Sequence, residues 1–156
     1  MISTDILISL EHVFDISAEI AQPITGGASR NGQRRIIAIT GGTVSGPRLQ
    51  GRVMPGGADY EFIRPDGTSR VEAHYVMEAS DGSPIYICNK GIYAAPQPVS
   101  DRLDRGEAVG TDEYYFRCVP VFDAPPGPHE WLNDRIFVGS CIFSIDAVRI
   151  SVFVVN

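Results

Sequence analysis

The chain has 156 residues, 44% of them hydrophobic and 21% charged, with a formal net charge of −6. That length suits one domain with one core, taken as 1–156, and the composition excludes a disordered or low-complexity scaffold. The acidic balance, with its arginines scattered and forming no basic stripe, excludes nucleic acid as an expected partner.

Taken in chain order, strand-like runs separated by turn residues are predicted at 6–20, 35–40, 43–54, 58–64, 70–78, 85–93, 114–124, 135–145 and 147–155. The segment 1–11 lacks the basic start and small-residue cleavage site of a signal peptide. No apolar run approaches the roughly 18 residues that a spanning helix needs, so a soluble cytoplasmic chain with no membrane partner is expected. Gly-Gly pairs at Gly26-Gly27, Gly41-Gly42 and Gly56-Gly57 recur every 15 residues. They read either as corners where strands bend or bulge, or as plain turns.

Pro65-Asp66-Gly67 and Asp81-Gly82-Ser83-Pro84 are tight-turn sequences that join antiparallel neighbours. In 70–78, Val71, Ala73, Tyr75 and Met77 form one face, read as inward, and Arg70, Glu72, His74 and Glu78 form the other. One short helix is predicted over 98–107, with Ser100 as its cap and Gly106 as its stop. The proline-rich stretch 123–129 reads as a stiff loop. The last run, 150–155, is apolar on both sides apart from Ser151. That pattern suits a strand covered on both faces, or a homo-oligomer contact. The expected fold is all-β: a single antiparallel meander closed into a small barrel.

Three cysteines, Cys88, Cys118 and Cys141, lie far apart with no C-x-x-C pair, which suggests neither a disulfide framework nor structural zinc. His12, His74 and His129 share no metal-ligand spacing, so no metal and no cofactor are expected. No G-x-S-x-G elbow is present to support serine hydrolase chemistry.

Several segments carry a family resemblance: RRIIAITGGTVSGPRLQGRVMPGGADYEFIRPDG, HYVMEASDGSPIYICNKG and EYYFRCVPVFDAPPGPHEWLNDRIFVG. Together they resemble the DUF3237 family, also called UPF0311, across nearly the whole chain. The most specific pieces are Gly41-Gly42-Thr43, Gly46-Pro47, 55–59, Tyr115-Phe116-Arg117 and Trp131-Leu132-Asn133. The resemblance implies a β-barrel similar to the allene oxide cyclase barrels and assigns no function. Three departures stand out: Asp123 where the family pattern has Glu, His74 where it has Arg, and the apolar 140–146 where it has an Arg-containing turn.

Among chemistry-bearing residues, Asp59 follows a Gly-Gly pair at a strand start. Its carboxyl is either a general base at a barrel mouth, with a pKa raised by partial burial, or an Asx cap on the turn. Tyr115 and Arg117 alternate onto one strand face, expected to be inward, with Tyr75 and Asn89 inward on earlier strands. Arg117 then either pairs with Asp59, Glu61 or Asp123, or receives a substrate oxygen beside a tyrosine hydroxyl. Arg35 is placed at the pocket's edge or as a solvated rim charge. Trp131 is a stacking wall over a ligand, or a plug for one end of the core.

Two function classes follow, both with a small-molecule partner. One is a cofactor-independent isomerase, cyclase or lyase in which Asp59 or Asp123 moves a proton while Tyr115 and Arg117 stabilise negative charge. The other is a carrier or sensor barrel with the same cavity and no perturbed acid. A barrel simply filled by its side chains is the third reading.

Overall fold

Strands whose apolar residues fall on every second position bury one sheet face only if that face closes on itself, and here it does. The computed structural model describes residues 3–156, so Met1 and Ile2 of the N-terminal segment lie outside the described residues. The elements are β1 (Leu10–Ile20), β2 (Ile24–Ser29), β3 (Gly32–Ser45), β4 (Gly51–Val53), β5 (Gly57–Ile63), β6 (Ser69–Ala79), β7 (Pro84–Ala94), α1 (Gln97–Asp104), β8 (Tyr115–Asp123), β9 (Phe137–Phe143) and β10 (Ala147–Val155). Antiparallel pairing runs β1-β10-β9-β8-β7-β6, crosses through β5 to β3, and returns to β1. The circuit closes an eight-stranded barrel in meander order, which leaves no free sheet edge in that circuit.

Strand β1 starts at Leu10 rather than at residue 6, which falls in a short 3-10 turn, and β9 is trimmed at both ends of its expected 135–145. Two larger differences separate the structure from the sequence reading. The runs 35–40 and 43–54 are not two equal strands: β3 is continuous, pairing with β5 over 33–39 and with β4 and β1 beyond that. Its bend lies at Gly41-Gly42, where the register against β1 shifts. Gly42 sits at a φ of 139°, and a side-chain carbon there would collide with the Ser17 carbonyl oxygen. Only glycine allows that close crossing. Strand β2, Ile-Thr-Gly-Gly-Ala-Ser, has no counterpart among the predicted runs, because it is exposed throughout and carries no alternation. Its bulge coincides with Gly26-Gly27, while Gly56 lies in the turn before β5. Two of the three Gly-Gly pairs are therefore bends and one is a turn.

The barrel has a filled end and an open one. Phe14, Phe122 and Phe137 pack edge to face at centroid separations of 5.7 and 5.0 Å. The short 3-10 turn Glu130–Asp134 covers them with fully buried Leu132. Each such side chain contributes about 1.5–3 kcal/mol on burial. Asn133 pins this plug: its Oδ1 accepts the Ala124 N–H at 2.7 Å and its Nδ2 donates to the Ala124 carbonyl at 2.9 Å. At the other end, α1 lies across the rim through buried Val99 and Leu103, and the Tyr93 and Ser100 hydroxyls bond at 2.9 Å. Among the described residues no helix is long and apolar enough to cross a membrane.

Candidate functional site

Inward positions two residues apart build a cavity of about 50 Å³ in the middle of the barrel. Ile37 and Ile39 of β3, Asp59 of β5, Val71, Ala73 and Tyr75 of β6 and Asn89 of β7 line it, with Cys118 and Cys141 opposite. Most of this wall is apolar. The polar exceptions are the Asp59 carboxyl, the Tyr75 hydroxyl and the Asn89 amide, and both the Tyr75 hydroxyl and Asn89 Oδ1 are buried without a hydrogen-bond partner. A buried polar atom left unpaired costs about 1–3 kcal/mol, so two in one cavity require an explanation.

Asp59 is held by an interruption in the β5–β6 ladder. The register pairs Asp59 with Ala73 and resumes only at Phe62 and Arg70. In the gap the Glu72 backbone N–H donates instead to Asp59 Oδ1, at 3.0 Å. That bond fixes the half-buried carboxyl and leaves its other oxygen for proton transfer. Burial, reinforced by the neighbouring Glu61 carboxylate, pushes Asp59 from 3.8 up to about 7, against the opposing pull of the Glu72 N–H and Arg35. Near neutrality such a group is divided between its acid and base forms, which suits it to take up a proton and to give it back. Burial also pushes the Tyr75 hydroxyl well above the usual phenol range, so it remains a hydrogen-bond donor.

Above Asp59 along the same inward face lies Glu61, 7% exposed, whose Oε1 accepts from Arg35 Nε at 2.9 Å. This pair lines a mouth of about 280 Å³ together with Gln33, Ser69, Tyr93, Ser100 and Asp104. Arg35 thus stands at the rim, but paired rather than simply solvated. The sequence reading places Glu61 only as a partner for Arg117. Its inward parity with Asp59, two residues away, was the available signal.

Tyr75 and Asn89 face inward as the alternation suggested. Tyr115, Arg117 and Asp123 do not. Along β8 the buried positions are Phe116, Cys118, Pro120 and Phe122, so these three expected cavity residues sit on the outer surface. Arg117 donates to the Phe116 carbonyl oxygen and rests 5.6 Å from the Tyr115 ring. The physical reason is composition: the outward set of β8 also contains Val119 and Val121, so both faces look half apolar, and the phenylalanines win the interior. Trp131 also lies away from the site. It packs on Phe137 at 5.6 Å, under the Arg48 guanidinium at 3.7 Å, at the filled end. Phe143, at the far end of β9, lines the mouth instead.

Cys118 is inward, with its Sγ accepting from Cys141 Sγ at 3.4 Å. The shared proton holds the Cys118 thiol below its usual range and pushes Cys141 above it. Gly91 and Gly139, on either side of Cys118, leave no room for a side-chain carbon, which keeps sulfur at the cavity wall. No histidine is among the residues lining this cavity.

The model of the family described as "Protein of unknown function (DUF3237)" matches residues 8–155. A UPF0311 protein of Bradyrhizobium diazoefficiens is 42% identical over 142 residues, 91% of this chain and 93% of that protein. The hydroalkoxylation enzyme phnH of Penicillium herquei is 41% identical over 54 residues, 35% of this chain and 36% of that enzyme. Among solved structures, a conserved protein of unknown function from Rhodopseudomonas palustris superposes with a TM-score of 0.92 at 38% identity, covering 96% of this chain and 99% of that one. A β-barrel-like protein from Acinetobacter baumannii gives 0.83 at 32% identity, with coverage of 96% and 97%. An enzyme from Penicillium herquei gives 0.73 at 21% identity over the whole of both chains, which shows a shared fold.

Proposed function

The chain belongs to the DUF3237 (UPF0311) family, and from that premise we propose that it is a cofactor-independent acid/base enzyme acting on a small, partly apolar molecule whose reacting end enters the barrel. One observation carries the reading: a carboxyl whose pKa burial raises to about 7 shares a cavity with two buried polar atoms that have no partner. Polar groups left unpaired in an otherwise apolar wall are explained by a ligand that supplies the missing bonds.

In this reading Asp59 takes a proton from a carbon or hydroxyl of the substrate. The Tyr75 hydroxyl donates to the oxygen that gains negative charge, and Asn89 Oδ1 accepts from a substrate hydroxyl. The protonated Asp59 then returns the proton to another atom, so that isomerisation, cyclisation or elimination proceeds without redox change. The inner space of about 50 Å³ admits only the reacting group, and the rest of the molecule occupies the mouth beyond Arg35 and Glu61. The Penicillium herquei relative is named for hydroalkoxylation, an addition of O–H across a double bond. That chemistry belongs to the same proton-transfer class. Three free thiols accord with a reducing cytoplasmic setting.

A carrier or sensor role is the second reading, favoured by the apolar remainder of the wall. A thermal-shift screen against hydroxylated, partly apolar metabolites, followed by product analysis on each hit, separates the two. The enzyme reading expects a ligand that the native chain converts and the Asp59→Asn variant binds but leaves unchanged. Binding without conversion by the native chain would establish carriage instead.

A further inference from the structure

The outer face of β6 and β7 holds a cluster whose side chains lie outside the barrel cavity, although the Glu72 backbone N–H also reaches Asp59. His74 and Cys88 are direct cross-strand partners, and Glu72 lies two residues before His74 on the same outward face. His74 Nε2 stands 3.2 Å from Glu72 Oε1 and 3.8 Å from Cys88 Sγ, and the three donor atoms all lie within 4.8 Å of one another. We propose that Glu72, His74 and Cys88 form a binding site for a borderline-soft divalent cation such as zinc, with a fourth position open to solvent.

The distances carry the argument. Tetrahedral zinc with bonds of about 2.0 Å to nitrogen and oxygen and about 2.3 Å to sulfur requires edges of about 3.3 Å between nitrogen and oxygen and about 3.5 Å between nitrogen and sulfur. The observed 3.2 and 3.8 Å are already within a few tenths of an ångström of those values. One carboxylate, one imidazole and one thiol is a donor set that suits zinc, cobalt(II) or nickel(II) and not magnesium or calcium.

The imidazole is also oriented for the task. Its Nδ1 lies 2.7 Å from the Tyr86 hydroxyl, and its ring stands between those of Tyr60 and Tyr86, at 6.4 and 5.9 Å. Metal-bound histidines are held in this way by a partner on the second nitrogen. Without metal, Nε2–H donates to Glu72 and Nδ1 accepts from Tyr86. Binding releases the Cys88 thiol proton to solvent and moves the single imidazole proton from Nε2 to Nδ1 by exchange with water, so that Nδ1–H then donates to the Tyr86 oxygen. Lys90, whose Nζ is 3.7 Å from Glu72 Oε1, is exposed and free to swing aside.

The test is a titration of the reduced full-length chain with cobalt(II), read by absorbance. The expected result is tetrahedral visible bands and a sulfur-to-cobalt charge-transfer band that saturate at one equivalent and are displaced by zinc. Cys88→Ser should abolish the charge-transfer band, and a Cys118→Ala, Cys141→Ala double variant should retain it. Tyr86→Phe should weaken binding by about tenfold to a hundredfold with the spectrum preserved. Metal-free melting curves confirm that each variant is folded. No bands at excess cobalt, or a charge-transfer band that survives Cys88→Ser, would overturn the proposal and leave a surface hydrogen-bond cluster only.

Discussion

Replacing Asp59 by Asn keeps the shape of the side chain and an oxygen able to accept the Glu72 N–H, while removing the titration. Below pH 3.8 the native carboxyl is protonated in both folded and unfolded chains and costs nothing. As pH rises, the unfolded chain releases the proton near 3.8, whereas the folded chain retains it until about 7. Native stability therefore falls through that window by about 1.4 kcal/mol per pH unit and stays lowered above it. The full span amounts to about 4 kcal/mol. Water reaching the partly buried carboxyl lowers this span, to between roughly 2 and 4 kcal/mol. Urea unfolding of both proteins across this range should show equal stability near pH 4 and an Asn variant more stable by roughly 2–4 kcal/mol above pH 7. Parallel curves for the two proteins would refute the reasoning, because Asp59 would then titrate as an ordinary turn carboxylate.

Four further outcomes are expected. Tyr75→Phe removes a buried hydroxyl that has no partner, so its melting temperature should stay level or rise, by about 1 kcal/mol of stability, while ligand-induced stabilisation is lost. Arg35→Ala strands the Glu61 carboxylate, 7% exposed, beside Asp59; denaturant titration should show a loss of about 3 kcal/mol, largely restored in the Arg35→Ala, Glu61→Ala double variant. Asn133→Ala frees both backbone groups of Ala124 and should cost about 1–3 kcal/mol, with hydrogen exchange increasing at Ala124 and in the plug it anchors. Arg117→Met alters an outer-face side chain; the melting temperature should move by less than the equivalent of about 0.5 kcal/mol, with ligand response in the cavity unchanged.

Much of the barrel was legible along the chain. Turn residues at Asp66-Gly67 and Asp81-Gly82 delimit β6 as 69–79 against an expected 70–78, and β10 matches its expected span of 147–155. Alternation in β6 separates inward Tyr75 from outward His74 because one set is consistently apolar and the other is not. The same method fails in β8, where Phe116 and Phe122 compete with Val119 and Val121. A shift of one residue exchanges the faces, and alternation alone does not say which set is inside. Strand β2 left no trace because an exposed strand needs no apolar period.

By itself, the sequence determined an antiparallel meander, the family to which the chain belongs, the presence of Tyr75 and Asn89 at positions that share a strand face with apolar residues, and Asp59 at the start of a strand after a Gly-Gly pair. Tertiary structure alone decided which polar groups meet. Asp59 has its raised pKa because closure of the barrel removes water from it and, secondarily, because Glu61 lies beside it. His74 reaches Cys88, 14 residues away, through the β6–β7 register. Local propensity sets the strand and its two faces, whereas register and barrel closure set distance and dielectric, and chemistry at a site depends on those two.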